Sequence, residues 1–163
     1  MNKFLAAILL LIISTGSASA MRRKKMQPQR NDEIVSVTFH RTACFGRCPT
    51  YTIELRNDGT VQYTGIMFTK DIGVYKKNIG IVKVKTLFHH FNELRVDTCK
   101  EMYVPTITDV PGIEYVINYK SRTKKIHNAN FGPDYLRELG KEIDAMITVD
   151  NTWKKIADKA PGL

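Results

Sequence analysis

Tyr51-Thr-Ile53-Glu-Leu55-Arg-Asn57-Asp58-Gly59-Thr-Val61-Gln-Tyr63 alternates apolar and polar residues on both sides of Asn-Asp-Gly. A period of two belongs to a strand with one buried face, and Asn, Asp and Gly tolerate the left-handed backbone of a short hairpin connection. The stretch predicts an antiparallel hairpin. Upstream, Glu33 to His40 alternates in the same way, with Val35, Val37 and Phe39 on one face and Ser36, Thr38 and His40 on the other. Downstream, Met67 to Lys77 predicts a fourth strand around Val74 and Tyr75.

At Ile81 the period changes. Ile81, Val84, Leu87, Phe88, Phe91 and Leu94 recur at steps of three and four, the spacing of one helix face, with Asn78 or Gly80 as the expected cap. This stripe reads as core rather than as a ligand box, each buried side chain stabilising by about 1.5–3 kcal/mol. Asp97 to Gly112 contains Cys99, Tyr103, Pro105, Asp109 and Pro111 without a clear period, so a long connection is expected there. Ile113, Tyr115, Ile117 and Tyr119 alternate again, and after a turn at Lys120 to Thr123 the run Lys124 to Ala129 returns as the hairpin mate. Phe131-Gly132-Pro133 opens the last main helix, with proline at its first position and Leu136, Leu139, Ile143, Met146 and Ile147 as its buried face. Asn151-Thr152-Trp153 reads as the start of a short terminal helix, with Trp153 packed back on the body. The order ββββ-α-ββ-α predicts an α+β domain: a mainly antiparallel sheet of about six strands with helices packed on one face.

Between the first two predicted strands lies Arg41-Thr-Ala-Cys44-Phe45-Gly46-Arg47-Cys48-Pro49-Thr-Tyr51. A disulfide needs Cα atoms about 4.4–6.8 Å apart, whereas four extended steps would separate them by roughly 13 Å. If Cys44 and Cys48 pair, the chain must reverse between them, and Gly46 and Pro49 suit such a reversal. Three cysteines in an exported chain imply one bridge and one leftover thiol. In the chain-entropy model a Cys44–Cys48 ring is worth roughly 2 kcal/mol and a bridge from either to Cys99 roughly 4 kcal/mol, so spacing alone leaves both pairings open.

Arg41, Cys44-Phe45-Gly46, Cys48-Pro49 and Tyr51, followed by Asp58-Gly59-Thr60-Val61 and Tyr63, resemble the Cys-Phe-Gly-x-Cys-Pro-x-Tyr signature of a bacterial family, domain of unknown function 6438. The resemblance covers roughly residues 33–150. It implies a shared fold and carries no established chemistry. It also implies the local Cys44–Cys48 pairing, because both cysteines belong to the signature. Asp109-Val-Pro111 resembles a further short Asp-x-Pro element of the same family.

Four segments follow from composition. Residues 1–20 read as a secretory signal, with Lys3 as the basic region, Phe4 to Ile13 as an apolar run too short to span a bilayer, and Ala18-Ser19-Ala20 as the cleavage pattern. Residues 21–32 read as a basic disordered arm, 33–150 as a single α+β domain and 151–163 as a tail with a short helix. Arg22, Arg23, Lys24 and Lys25 directly after the cleavage site oppose translocation, and a leaderless product starting at Met21 is the alternative. The expected location is periplasmic or secreted, with no membrane span after signal cleavage.

The formal net charge of the 163 residues is +9, and Lys3 is the lone charge of the leader, so the remainder keeps +8. Such a surplus favours an anionic or protein partner in the cell envelope. Nucleic acid is not expected, since an exported chain seldom meets it and no aromatic-basic ribbon motif occurs. Gly-x-Ser-x-Gly, His-Glu-x-x-His and a glycine-rich phosphate loop are all missing from the sequence, and no cofactor is expected. The reading is a non-catalytic binding or structural module, with Arg41, Phe45, Arg47, Tyr51 and Asp109 as candidate binding residues: Phe45 an apolar anchor, Arg47 an anion donor. The alternatives are thiol–disulfide redox chemistry at two cysteines flanked by Arg41 and Arg47, or a metal held by His40, Cys44 and Cys48.

Overall fold

The structure, a computed structural model, describes residues 32–104 and 110–159. The predicted secretory signal, most of the predicted arm and Asp109 lie outside the described residues. Strands β1 (Ile34–Arg41), β2 (Thr50–Arg56), β3 (Thr60–Met67) and β4 (Gly73–Asn78) form an antiparallel meander, as their alternation requires. Helix α1 (Ile81–Glu93) follows, then a 3-10 turn at Val96–Thr98 and a two-residue strand β5 (Met102–Tyr103). The hairpin of β6 (Ile113–Tyr119) and β7 (Thr123–Asn128), helix α2 (Asp134–Met146) and strand β8 (Lys154–Ala157) complete the chain.

The eight strands of the described residues belong to one sheet in the order β5-β7-β6-β1-β2-β3-β4-β8. Phe39, Ile53, Tyr63 and Tyr75 stand opposite one another from β1 to β4, and Tyr115 and Ile126 continue the row on the other side of Phe39. Both helices pack on this face. Phe91 of α1 meets the Tyr115 ring edge-on at 5.7 Å, and the Tyr115 hydroxyl donates to Leu136 O of α2 at 2.6 Å. Gly140 of α2 lies so close to Phe39 and Ile113 that a side chain there would strike them. The opposite face carries Thr38, His40, Thr52, Glu54, Gln62, Lys76, Glu114, Asn118 and His127, partly or fully exposed among the described residues.

The sheet is mainly antiparallel, as expected, with one parallel pair, β5 with β7, and it has eight strands among the described residues where about six were expected. Other expectations are corrected. The connection over Asp97 to Gly112 contains the 3-10 turn and β5, elements too short to show a period. Asn151-Thr152-Trp153 starts no helix: the Asp150 carboxylate accepts from the Thr152 N–H at 2.8 Å, a turn forms, and the chain then runs extended along the free edge of β4. Trp153 does pack back, buried, with its indole N–H donating to Thr148 O at 2.9 Å. Val35 points outward because the β1–β6 register shifts between Ile34 and Ser36, which buries Ile34 instead. On α1, Val84, Leu87, Phe88 and Phe91 are buried, whereas Ile81 and Leu94 at the two ends are exposed. On α2 the proline stands one position earlier than expected, at the cap, and Gly140 joins Leu136, Leu139 and Ile143 in the buried stripe.

Candidate functional site

The loop from Thr42 to Pro49 leaves the sheet between two central strands. Cys44 and Cys48 are joined in a disulfide with Cα atoms 5.7 Å apart, and the Gly46 N–H donates to Cys44 O at 2.8 Å inside the ring. Cys99 is the leftover thiol, buried, its Sγ 3.1 Å from the Tyr135 hydroxyl. The root of the loop is pinned on the β6 side, where Thr42 N–H donates to Gly112 O at 3.1 Å and Gly112 N–H to Thr42 Oγ1 at 2.8 Å. The tip projects outward, and Phe45 is 92% exposed.

The loop of residues 68–72, between β3 and β4, lies alongside. It folds back over Gly65, where a Cβ would fall 1.8 Å from Asp71 O and 2.8 Å from Thr69 Oγ1, so only glycine fits. The fold-back leaves Met67, Phe68 and Ile72 exposed. The Arg47 guanidinium lies over the Phe68 ring at 5.9 Å, within cation–π range. Phe45, Met67, Phe68 and Ile72 are thus exposed on the two loops that carry Arg47 and its Phe68 contact, at the end of the sheet away from the Asn57-Asp58-Gly59 turn. Of these, sequence reasoning singled out Phe45 and Arg47 but not Met67, Phe68 or Ile72, which the fold-back at Gly65 leaves exposed.

Arg41 and Tyr51 are opposite residues of β1 and β2, and both point to the helix side. There they meet Asp144 of α2, which sequence reasoning did not single out. Arg41 Nε donates to Asp144 Oδ2 at 3.0 Å and to the Tyr51 oxygen at 2.9 Å, Arg41 Nη2 also donates to Asp144 Oδ2, and the Tyr51 hydroxyl donates to Asp144 Oδ1 at 2.6 Å. Burial and then the Asp144 carboxylate push the Tyr51 hydroxyl well above its ordinary range, so it stays a donor. Burial disfavours the Arg41 cation, but its hydrogen bonds and attraction to Asp144 outweigh that and raise its pKa. With its charge paired to Asp144, Arg41 rivets two strands to a helix. Tyr51 likewise stacks inside, 5.6 Å from the Tyr63 ring. One signal in the sequence pointed to Asp144: it falls four residues after Gly140 in the buried stripe of α2, where a carboxylate needs a partner.

No group of three or more His, Cys, Asp or Glu side chains among the described residues is placed to hold a metal ion. Cys44 and Cys48 bond each other, and His40 Nδ1 lies 2.9 Å from Thr52 Oγ1 on the open face, so the His40-Cys44-Cys48 set is not assembled. Asp58 accepts from the Thr60 N–H at 2.8 Å, the ordinary bond of a turn aspartate. Among the described residues, clefts open on the helix side. One, of about 290 Å³, is lined by His90, Glu93, Tyr135, Glu138 and Glu142; the other, of about 230 Å³, by Glu33, Lys85, Phe88 and His89. Neither is lined by any of the sequence-derived candidates.

Fold and site together define a small α+β protein in which two helices cover one face of an antiparallel-rich sheet and a disulfide-closed loop projects from its end. The chain belongs to the family described as Domain of unknown function (DUF6438), which it matches over residues 35–147. The matched span includes the cysteine loop and the Arg41–Tyr51–Asp144 cluster and stops before β8. No curated protein matches the sequence.

Proposed function

We propose that this protein is an exported, non-catalytic binding module of the cell envelope, and that it seats Phe45 in an apolar socket of a partner protein. One observation carries the reading: a phenylalanine 92% exposed on a covalently closed loop. Water contact on a large apolar side chain is unfavourable, by roughly 1.5–3 kcal/mol relative to burial, and a partner recovers that energy. Closing the loop beforehand lowers the ordering cost of binding. Met67, Phe68 and Ile72 extend the apolar contact, and Arg47 at the rim favours an acidic side chain on the partner. Export is supported by the leader pattern of residues 1–20 and by a disulfide, which persists in oxidising compartments. The roles first expected for Arg41 and Tyr51 pass to the neighbouring loop, since their polar atoms are engaged with Asp144.

The test places a photo-crosslinking residue at position 45 or at Val82, which is exposed on α1 near the other end of the sheet. In the native envelope, position 45 is expected to give one discrete protein adduct and position 82 none. Adducts of equal yield at both positions would sink the proposal. The redox alternative uses the same two sulfurs and separates by a reduction potential: a structural bond lies below about −300 mV.

A further inference from the structure

The C-terminal strand offers a second surface, away from the cysteine loop and outside the residues that match the family. Trp153 anchors it, and Lys154-Lys155-Ile156-Ala157 then pairs with β4 and forms one edge of the sheet. All four residues are exposed, and no strand pairs with the outer side of β8 among the described residues. An edge strand presents backbone N–H and C=O groups in extended geometry, the template for adding a further strand.

The side chains on this edge select what can be added. Lys154 stands directly opposite Lys76 on the open face, and neither has an acidic partner among the described residues. Like charges in register are destabilising, so the pair favours a negative group between or beside them. Lys155, on the other face, lies over the Tyr75 ring at 5.6 Å and contacts Asp158 at 2.9 Å. The register shift between Val74 and Tyr75 makes Ile156 the extra residue of β8, and it stands out 49% exposed.

A second copy of the chain, paired edge to edge, would bring the Lys154 and Lys155 of both copies near one another. The chain's own segment 21–31 carries Arg22, Arg23, Lys24, Lys25 and Arg30, of the same sign. Like charge disfavours both as occupants, and the lysines favour a segment of the opposite sign. We propose that β8 accepts an extended acidic peptide segment as a ninth strand. Its backbone bonds the free edge, a carboxylate meets Lys154 and Lys76, and an apolar residue covers Ile156.

The experiment titrates the full-length protein with a fluorescent peptide of alternating Glu and Val. Two controls accompany it: the same peptide N-methylated at alternate amides, and an anionic oligosaccharide of equal charge. The Glu-Val peptide is expected to bind, the N-methylated one to lose at least tenfold in affinity, and the oligosaccharide to bind more weakly than the peptide. Charge reversal by Lys76→Glu with Lys154→Glu should weaken the acidic peptide roughly tenfold or more and strengthen a Lys-Val peptide. Gain of the Lys-Val peptide shows that the variant is folded. The proposal is overturned if the acidic peptide does not bind, if N-methylation makes no difference, if the oligosaccharide binds as well, or if charge reversal leaves the preference unchanged.

Discussion

Arg41 ends a strand whose inward neighbours, Val37 and Phe39, are fully buried, and a cation there persists only because Asp144 and Tyr51 surround it. Removing one member leaves a half-buried charge short of partners. Arg41→Ala is therefore expected to cost about 1–3 kcal/mol of stability in urea unfolding. In a double-mutant cycle with Asp144→Asn, coupling of about 0.5 kcal/mol or more is expected, and strict additivity would show that the contact is not stabilising. Phe45, directly after Cys44 in the ring, is the contrast: Phe45→Ala should shift stability by less than about 0.5 kcal/mol, because the side chain touches little of its own fold. At this scale the sequence singled out Arg41 and Tyr51 but neither Asp144 nor the inward roles of the two. Arg41 and Asp144 are 103 positions apart, and no local pattern reports such a meeting.

Among the elements, strands and helices follow their periods, and the joints between them depend on close approach. Gly59, at φ +87, lies under the start of α1, where a Cβ would come within 2.6 Å of Ile81 N and 2.7 Å of Gly80 C. Gly80 also has positive φ, +96, but open space around its Cα. Gly59→Ala should therefore destabilise by more than Gly80→Ala, whose cost is backbone strain alone, about 1–3 kcal/mol. Thermal unfolding of the two variants decides it, and equal losses would mean that contact at the hairpin tip is unimportant. The hairpin at Asn57-Asp58-Gly59 was legible because its turn chemistry is local. The strand at Lys154–Ala157 was not, because a four-residue basic segment has no strand period of its own and extends only where β4 offers an edge.

In the whole molecule the core is rich in tyrosine, and that gives stability an alkaline limit. Burial, the main cause in each case, raises Tyr51, Tyr63, Tyr115 and Tyr119 above the ordinary value of 10, with Tyr119 pushed up to about 12. The unfolded chain then loses these protons first. The contribution to stability is complete below pH 10 and is lost as pH rises through about 12 and beyond. Urea midpoints are expected to hold steady up to pH 10 and to fall above it, with the last four of the seven tyrosines ionising only together with unfolding. Ionisation of all seven tyrosines before unfolding would contradict the burial of these hydroxyls.

What the residues determined by themselves were the local matters: where strands alternate, where the period turns helical, that the cysteine stretch must reverse if its sulfurs join, and that the body carries excess positive charge. Those follow from side-chain spacing and backbone preference, which act over a few residues. Tertiary structure alone decided that the β6–β7 hairpin docks on the free edge of β1, that Arg41 and Tyr51 turn inward to Asp144, that Phe68 comes to lie beside Arg47, and that the tail becomes an edge strand. Each is a choice among distant partners with similar local patterns. The choice is made by the burial and pairing that become available once the whole sheet has formed.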